Sequence, residues 1–219
     1  MRERIALALD VPLPKGVLSE ISEVVGVLKI GWPIIVELGL ERVAELVRAG
    51  SWVEVIADLK LADIYETMSK VVSKLGFADS FIAHSFVGVE GALGPLKREL
   101  DAKGKGLYLV LSMSHPGWND VFYSELLSVV KSVSPKGVVV GATKPEMVSR
   151  VRADLGSLKI ISPGVGAQGA KPGSALCRGA DVEIVGRRIY SSRDPVKEAV
   201  LIVEEARSTL SECEKGGGS

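Results

Sequence analysis

The chain has 219 residues, 47% of them hydrophobic and 25% charged, an ordinary globular balance with enough length for one large core. Acidic and basic residues cancel at 27 each and only 5% are aromatic, which argues against a polyanion-binding surface or a base-stacking platform. No apolar run approaches the length that spans a bilayer, so neither nucleic acid nor membrane is an expected partner.

Met1-Arg2-Glu3-Arg4 leads straight into a short apolar run, without the longer apolar stretch and cleavage site of a signal peptide. The expected location is the cytoplasm. Strand signals follow at Ile5–Leu9, Val27–Gly31, Val53–Leu59, Ser80–His84, Leu107–Ser112, Gly137–Val140, Lys159–Ser162 and Val182–Gly186. Between them lie helical patterns at Lys15–Val25, Pro33–Ala49, Asp63–Leu75, Val89–Asp101, Val121–Val133 and Pro145–Leu155, a short one at Pro172–Arg178 and a last at Pro195–Ser211. Pro33, Pro145 and Pro195 mark first turns, and Gly50 and Gly76 fall where helices should stop. Cys177 and Cys213 are far apart, lack metal-ligand spacing, and read as free thiols in a reducing compartment. No linker interrupts residues 1–215, which are expected to form one domain, with Gly216-Gly217-Gly218-Ser219 as a flexible tail.

Strands that each precede a helix imply parallel βαβ units, and the α/β class expected is a (β/α)₈ TIM barrel, with an open doubly wound sheet as the alternative. The placement of polar residues favours the barrel. Asp10, Lys29, Asp58 with Lys60, His84, Ser112 with Ser114, and Arg187 stand at or just past the C-terminal ends of apolar strands, the rim where barrels of this kind build active sites. In the first strand Ala6, Ala8 and Asp10 share one face, and small inward residues suit a narrow barrel.

The run Asp58-Leu59-Lys60-Leu61-Ala62-Asp63 concentrates three charges at one strand end. Alternation points Asp58 and Lys60 the same way, and Asp63 falls where a helix would begin. Neighbouring carboxylates favour the charged form of a lysine, and a fixed proton donor beside a fixed negative charge suits a reaction that develops a carbanion. A salt-bridged strand-to-helix turn is the plainer alternative. Later, Ser162 to Gly169 reads Ser-Pro-Gly-Val-Gly-Ala-Gln-Gly, a loop whose backbone can approach a ligand closely. Gly186-Arg187-Arg188 then closes the last strand. Each alone is an ordinary turn or a solvated pair. Together, at the seventh and eighth strand ends, they point to phosphate binding.

The motifs Leu9-Asp10, Leu28-Lys29-Ile30-Gly31, Asp58 to Ile64, Met113-Ser114-His115-Pro116-Gly117, Ser162 to Gly169 and Val185-Gly186-Arg187 occur in one order along nearly the whole chain. This pattern resembles the orotidine 5'-monophosphate decarboxylases in their short archaeal form. The resemblance implies conversion of orotidine 5'-monophosphate (OMP) to uridine 5'-monophosphate (UMP) without metal or cofactor. It implies Lys60 as the proton donor to C6, Asp58 as the carboxylate against the substrate carboxylate, and Lys29 as the link from ribose to the charged network. Asp10 would hold a ribose hydroxyl, Ser114 would read the pyrimidine, and Gln168 would bridge pyrimidine and phosphate. Pro163, Gly164 and Val165 would line the substrate loop, and Gly186 and Arg187 would grip the phosphate. Asp63, Ile64 and Thr67 would reach across a homodimer interface into the neighbour's site. His84 and His115 carry no catalytic role in this reading: His115 would buttress the turn before Pro116, and His84 would be a satisfied rim residue. Magnesium-dependent sugar-phosphate decarboxylases and synthases of the same superfamily share the Asp-x-Lys-x-x-Asp pattern but carry a glutamate where this chain has Lys29, a position from which a cation would repel Mg²⁺. A phosphate-ligand binding protein without turnover is a more distant alternative.

Overall fold

A computed structural model describes residues 1–216. In chain order its regular elements are β1 (Ile5–Leu9), α1 (Lys15–Val24), β2 (Val27–Gly31), α2 (Trp32–Val47), β3 (Glu54–Leu61), α3 (Tyr65–Ser73) and β4 (Ser80–His84). There follow α4 (Gly94–Ala102), β5 (Gly106–Ser112), α5 (Tyr123–Val133), β6 (Gly137–Val140), α6 (Pro145–Leu155), β7 (Lys159–Val165), β8 (Val182–Val185), α7 (Arg187–Tyr190) and α8 (Pro195–Gly216). Every strand pairs in parallel with its sequence neighbours, and β1 also pairs with β8, so the sheet closes into a barrel and the open-sheet alternative is excluded.

Strand alternation sorts the core into two layers. Ala6, Ala8, Ile56, Ile82, Val110, Val139, Ile161 and Ile184 fill the barrel interior. Ile5, Leu7 and Leu9 point outward into a larger cluster with Leu18 and Ile21 of α1 and the apolar stripes of the other helices. Small residues on β1 leave space at the upper mouth, where the polar strand ends gather.

Departures from the sequence expectation have local causes. Helix α2 is broken at Gly39, whose φ of 75° is left-handed. The helical pattern from Val89 becomes regular only at Gly94, after an irregular turn with non-helical Glu90 and Gly91. The pattern at Pro172–Arg178 is reduced to a 3₁₀ turn at Leu176–Arg178, and α7 stands where no helix is expected. Cys177 and Cys213 are not free thiols. They form a disulfide that joins this turn to α8, their Cα atoms 6.1 Å apart. The fold brings together residues 36 apart in sequence, which spacing alone cannot show. Gly216 ends α8, and the rest of the expected tail lies outside the described residues.

The barrel floor is closed by polar chemistry. The buried Glu54 carboxylate receives hydrogen bonds from Ser80 (2.7 Å), Tyr108 (3.0 Å) and Lys136 (2.8 Å), and Lys159 lies 3.1 Å away. Burial opposes its charge, but the Lys136 and Ser80 hydrogen bonds and the Lys159 charge outweigh it and hold the carboxyl below the ordinary glutamate range. A carboxyl depressed in the folded state stabilises the protein above the unfolded value, about pH 4.3, and that contribution disappears as pH falls through the lower folded value. Glu54→Gln should therefore cost about 2 kcal/mol at neutral pH and flatten the loss of stability on acidification. Chemical denaturation across pH checks this, and parallel curves for the two proteins would contradict it.

Candidate active site

Asp58 and Lys29 share the barrel interior because both continue the inward-facing parity of their strands. The Asp58 side chain is 9% exposed and that of Lys29 10%, with Lys29 Nζ 3.1 Å from Asp58 Oδ2. Lys60 Nζ donates to both Asp58 oxygens, at 2.9 and 3.0 Å. Burial disfavours the Asp58 charge, but the Lys29 and Lys60 charges and their hydrogen bonds overcome it, so the carboxyl is held below the usual aspartate range.

Lys60 reaches this position at a backbone cost. Its φ of 45° is left-handed, a conformation that costs a non-glycine residue about 1–2 kcal/mol. The β3–β4 register slips between Ala57 and Leu61, so Lys60 sits in an irregular strand end that extends past the expected stop at Leu59. The indole N–H of Trp32 donates to the Leu59 carbonyl at 3.0 Å, fixing the peptide just before Lys60. Sequence reading missed this role of Trp32, and only its place directly after the second strand hinted at it. Similar register shifts fall at the ends of β5 and β7, next to Ser114 and Pro163–Val165. All three strand ends thereby turn polar or glycine-rich segments toward one recess.

That recess holds about 300 Å³ and is lined by Asp10, Lys29, Asp58, Lys60, Ser114, Pro163, Gly164, Val165, Gln168, Gly186 and Arg187, so eleven expected residues converge. Asp10 lies 3.5 Å from the Tyr190 hydroxyl of α7. Ser114 is packed against Gly141, where any Cβ would come within 2.6 Å of the Ser114 Cα, and its carbonyl accepts from Thr143 Oγ1 at 2.7 Å. Gly164 brings Ser114 and Gln168 together, since a Cβ there would stand 3.1 Å from Gln168 Oε1 and from Ser114 Cβ. The lining offers a charged cluster, Asp58 with two ammonium groups, at the ends of β2 and β3, and a guanidinium with glycine-rich backbone at the ends of β7 and β8. Ala8, Val139 and Ile184 add apolar surface to the same recess. An elongated anion with two negative ends and a flat polar middle fits this division.

Three expected residues stay out. Asp63, Ile64 and Thr67 are exposed and do not line the recess, and Asp63 Oδ1 accepts from the Ile64 N–H at 2.7 Å. The histidines also differ from expectation. His115 does more than buttress its turn, because it lines the recess. His84 is not a satisfied rim residue: its Nδ1 is buried without a protein partner, and its ring packs on Phe86 with centroids 4.9 Å apart. Burial, then the nearby Lys60 charge, lowers its pKa below the ordinary histidine range.

The chain is similar to known proteins along most of its length. The family described as orotidine 5'-phosphate decarboxylase / HUMPS matches residues 3–202. An orotidine 5'-phosphate decarboxylase of Sulfurisphaera tokodaii is 52% identical over 210 residues, covering 95% of this chain and 98% of the relative. The crystal structure of orotidine 5'-monophosphate decarboxylase from Sulfolobus solfataricus superposes with a TM-score of 0.93 at 43% identity, covering 95% of this chain and 99% of that one. The Methanocaldococcus jannaschii enzyme complexed with inhibitor BMP gives a TM-score of 0.84 at 32% identity, covering 94% and 99% of the two chains.

Proposed function

The chain belongs to the orotidine 5'-phosphate decarboxylase / HUMPS family, and from that premise we infer that it converts OMP to UMP and carbon dioxide. The observation that carries this choice within the family is Lys29. Its ammonium stands 3.1 Å from Asp58 at the position where the magnesium-dependent relatives would need an oxygen ligand, and a fixed cation there repels Mg²⁺.

The residues divide the work as follows. Arg187 and the Gly186 backbone hold the substrate phosphate, Gln168 spans from phosphate to pyrimidine, and Ser114 reads the ring. Asp10 and Lys29 hold the ribose hydroxyls. This places the C6 carboxylate at the Asp58–Lys60 end. The C6–carboxylate bond breaks, its electron pair stays on C6, carbon dioxide leaves, and Lys60 Nζ gives its proton to C6. The protein's contribution is positioning and a preorganised cation where negative charge develops. Repulsion between Asp58 and the substrate carboxylate about 4 Å apart would supply only ~4 kcal/mol at an effective dielectric near 20. Enzymes lower barriers by about 8–23 kcal/mol, so stabilisation of the transition state by Lys60 and by closure over the phosphate must supply most of the acceleration. This chemistry calls for no cofactor.

The same reading assigns Asp63, Ile64 and Thr67 to the partner's site in a homodimer. Their exposure outside their own recess supports it. So does a set of exposed apolar side chains following consecutive strands β2 to β4: Trp32 at 49%, Val36 at 78%, Ile64 at 58% and Phe86 at 61%. Action in the cytoplasm completes the proposal. A disulfide is unusual there, intracellular proteins of hyperthermophiles being the exception.

Two experiments test these assignments. Loss of OMP followed by ultraviolet absorbance should proceed at an unchanged rate after exhaustive EDTA treatment. Loss on chelation with rescue by Mg²⁺ would move the chain to the sugar-phosphate branch. Lys60→Ala and Asp63→Ala chains, each nearly inactive alone, should regain activity when mixed and allowed to exchange subunits. Each heterodimer then has one site with both changes and one with neither, so at most about a quarter of sites are restored. Demonstrated exchange without recovered activity would place Asp63 in its own subunit's site.

A further inference from the structure

Arg187 and Arg188 are consecutive residues of the one-turn helix α7, yet they face different surroundings. Arg187 lines the recess with Lys60 and Asp58. The Arg188 fork turns onto α8, where Nε donates to Glu198 at 2.7 Å and the two terminal nitrogens donate to the two oxygens of Glu205 at 2.8 and 2.5 Å. These bonds hold the Arg188 guanidinium firmly in its charged form. Isolated surface ion pairs contribute little, but a bidentate arginine shared between two carboxylates and only 28% exposed is the geometry that does contribute.

The Arg188 stem has a second contact. Gly166, the first glycine of the loop after β7, has a φ of 80°, and a Cβ on it would lie 3.1 Å from the Arg188 Cβ and Cδ. The loop therefore rests on the Arg188 stem at this hinge. The loop is closed on itself there, with the Gly166 N–H bonded to the Ala170 carbonyl at 2.8 Å and the Gly169 N–H to the Gly166 carbonyl at 2.9 Å. At its far end Gly173 is seated on Ala206 and Thr209 of α8, and its N–H donates to the buried Glu183 at 2.7 Å. Residues 166–173 thus run from Arg188 of α7, itself bound to α8, to a direct seat on α8. Between loop and helix runs an open groove of about 730 Å³, bordered by Arg187, Arg188 and Glu205.

We propose that Arg188 is a positioning residue for phosphate binding: clamped to Glu198 and Glu205, its stem sets the Gly166 hinge of the loop that carries Gln168. The clamp also neutralises the second guanidinium, so that Arg187 alone addresses the phosphate. This inference rests on the OMP reading of the site, and it extends the phosphate machinery to α8, which makes no contact with the recess itself.

The test uses the full-length protein with Arg188→Ala and Arg188→Met, the latter keeping an apolar stem without the fork. In Arg188→Ala the KM for OMP should rise about tenfold with kcat nearly unchanged, while kcat/KM for phosphate-free orotidine stays at the wild-type value. Amide exchange at Gly166 and Gly169 in the unliganded protein should speed up about tenfold, while that of the β1 and β5 amides does not change. Arg188→Met should change both readouts in the same direction by less. Equal losses toward OMP and orotidine, or loop exchange at the wild-type rate in both variants, would overturn the inference. Absence of OMP turnover in the wild type would instead sink the reading of the site, and loop exchange would still decide the role of Arg188.

Discussion

A carboxylate buried between two ammonium groups sets the terms for everything above the barrel floor. Asp58 could not remain ionised at 9% side-chain exposure without Lys29 and Lys60 beside it. Conversely, Asp58 is the ion-pair partner of both cations, the buried Lys29 and the part-exposed Lys60. This pairing fixes three side chains from two adjacent strands to within hydrogen-bond distance. It also explains why β3 tolerates a left-handed lysine and a register slip: the ion pairs and the Trp32 bond to Leu59 overdetermine a backbone that would otherwise relax. In the proposed reaction, a cation already in place when charge develops on the substrate needs no reorganisation, and its catalytic value would lie there.

The barrel supplies the second requirement, distance. The charged cluster at the ends of β2 and β3 and Arg187 after β8 come from different sectors of the rim and line one small recess. A ligand bridging them must be anionic at both ends, and binding free energy gained at the phosphate can be used at the ring only if the loop between them is well placed. The contacts of that loop with α8, through Arg188 at one end and Gly173 at the other, tie a peripheral helix to the chemistry. The Cys177–Cys213 disulfide joins the same helix to the 3₁₀ turn that follows the loop. The barrel floor mirrors the mouth: Glu54 between Lys136 and Lys159 is another buried carboxylate held by two cations, at the end where barrels invest in stability.

Much of this was legible in the sequence because a barrel of alternating strands and helices leaves little freedom in where strand ends can point. Asp10, Lys29, Asp58, Ser114 and Arg187 needed only a strand boundary and a parity to be placed on one rim. What stayed hidden depends on contacts between residues distant in the chain or on backbone geometry without a residue signature. Nothing in Leu59-Lys60-Leu61 announces a positive φ, since glycine and asparagine are the usual signals. The pairing of Cys177 with Cys213 depends on where α8 docks, and so do the Glu198 and Glu205 partners of Arg188. The parity argument for Asp58 and Lys60 reached the right neighbours although the strand between them is irregular, because the ion pair compensates for the slip. His84 escaped because a strand-end histidine looks the same in sequence whether its ring nitrogen is satisfied or not.

The most direct measurement is a pH titration of the Asp58 carboxyl in the unliganded protein, followed by carboxyl-carbon NMR and assigned by comparison with Asp58→Asn. If Lys29 and Lys60 hold the carboxylate as described, Asp58 keeps its charge through the range in which ordinary aspartates protonate and titrates only below it. An Asp58 that takes up its proton at or above the ordinary aspartate range would mean that burial outweighs the two cations. The two ammonium groups would then not stabilise the carboxylate as described, and the electrostatic frame argued for Lys60 would be contradicted.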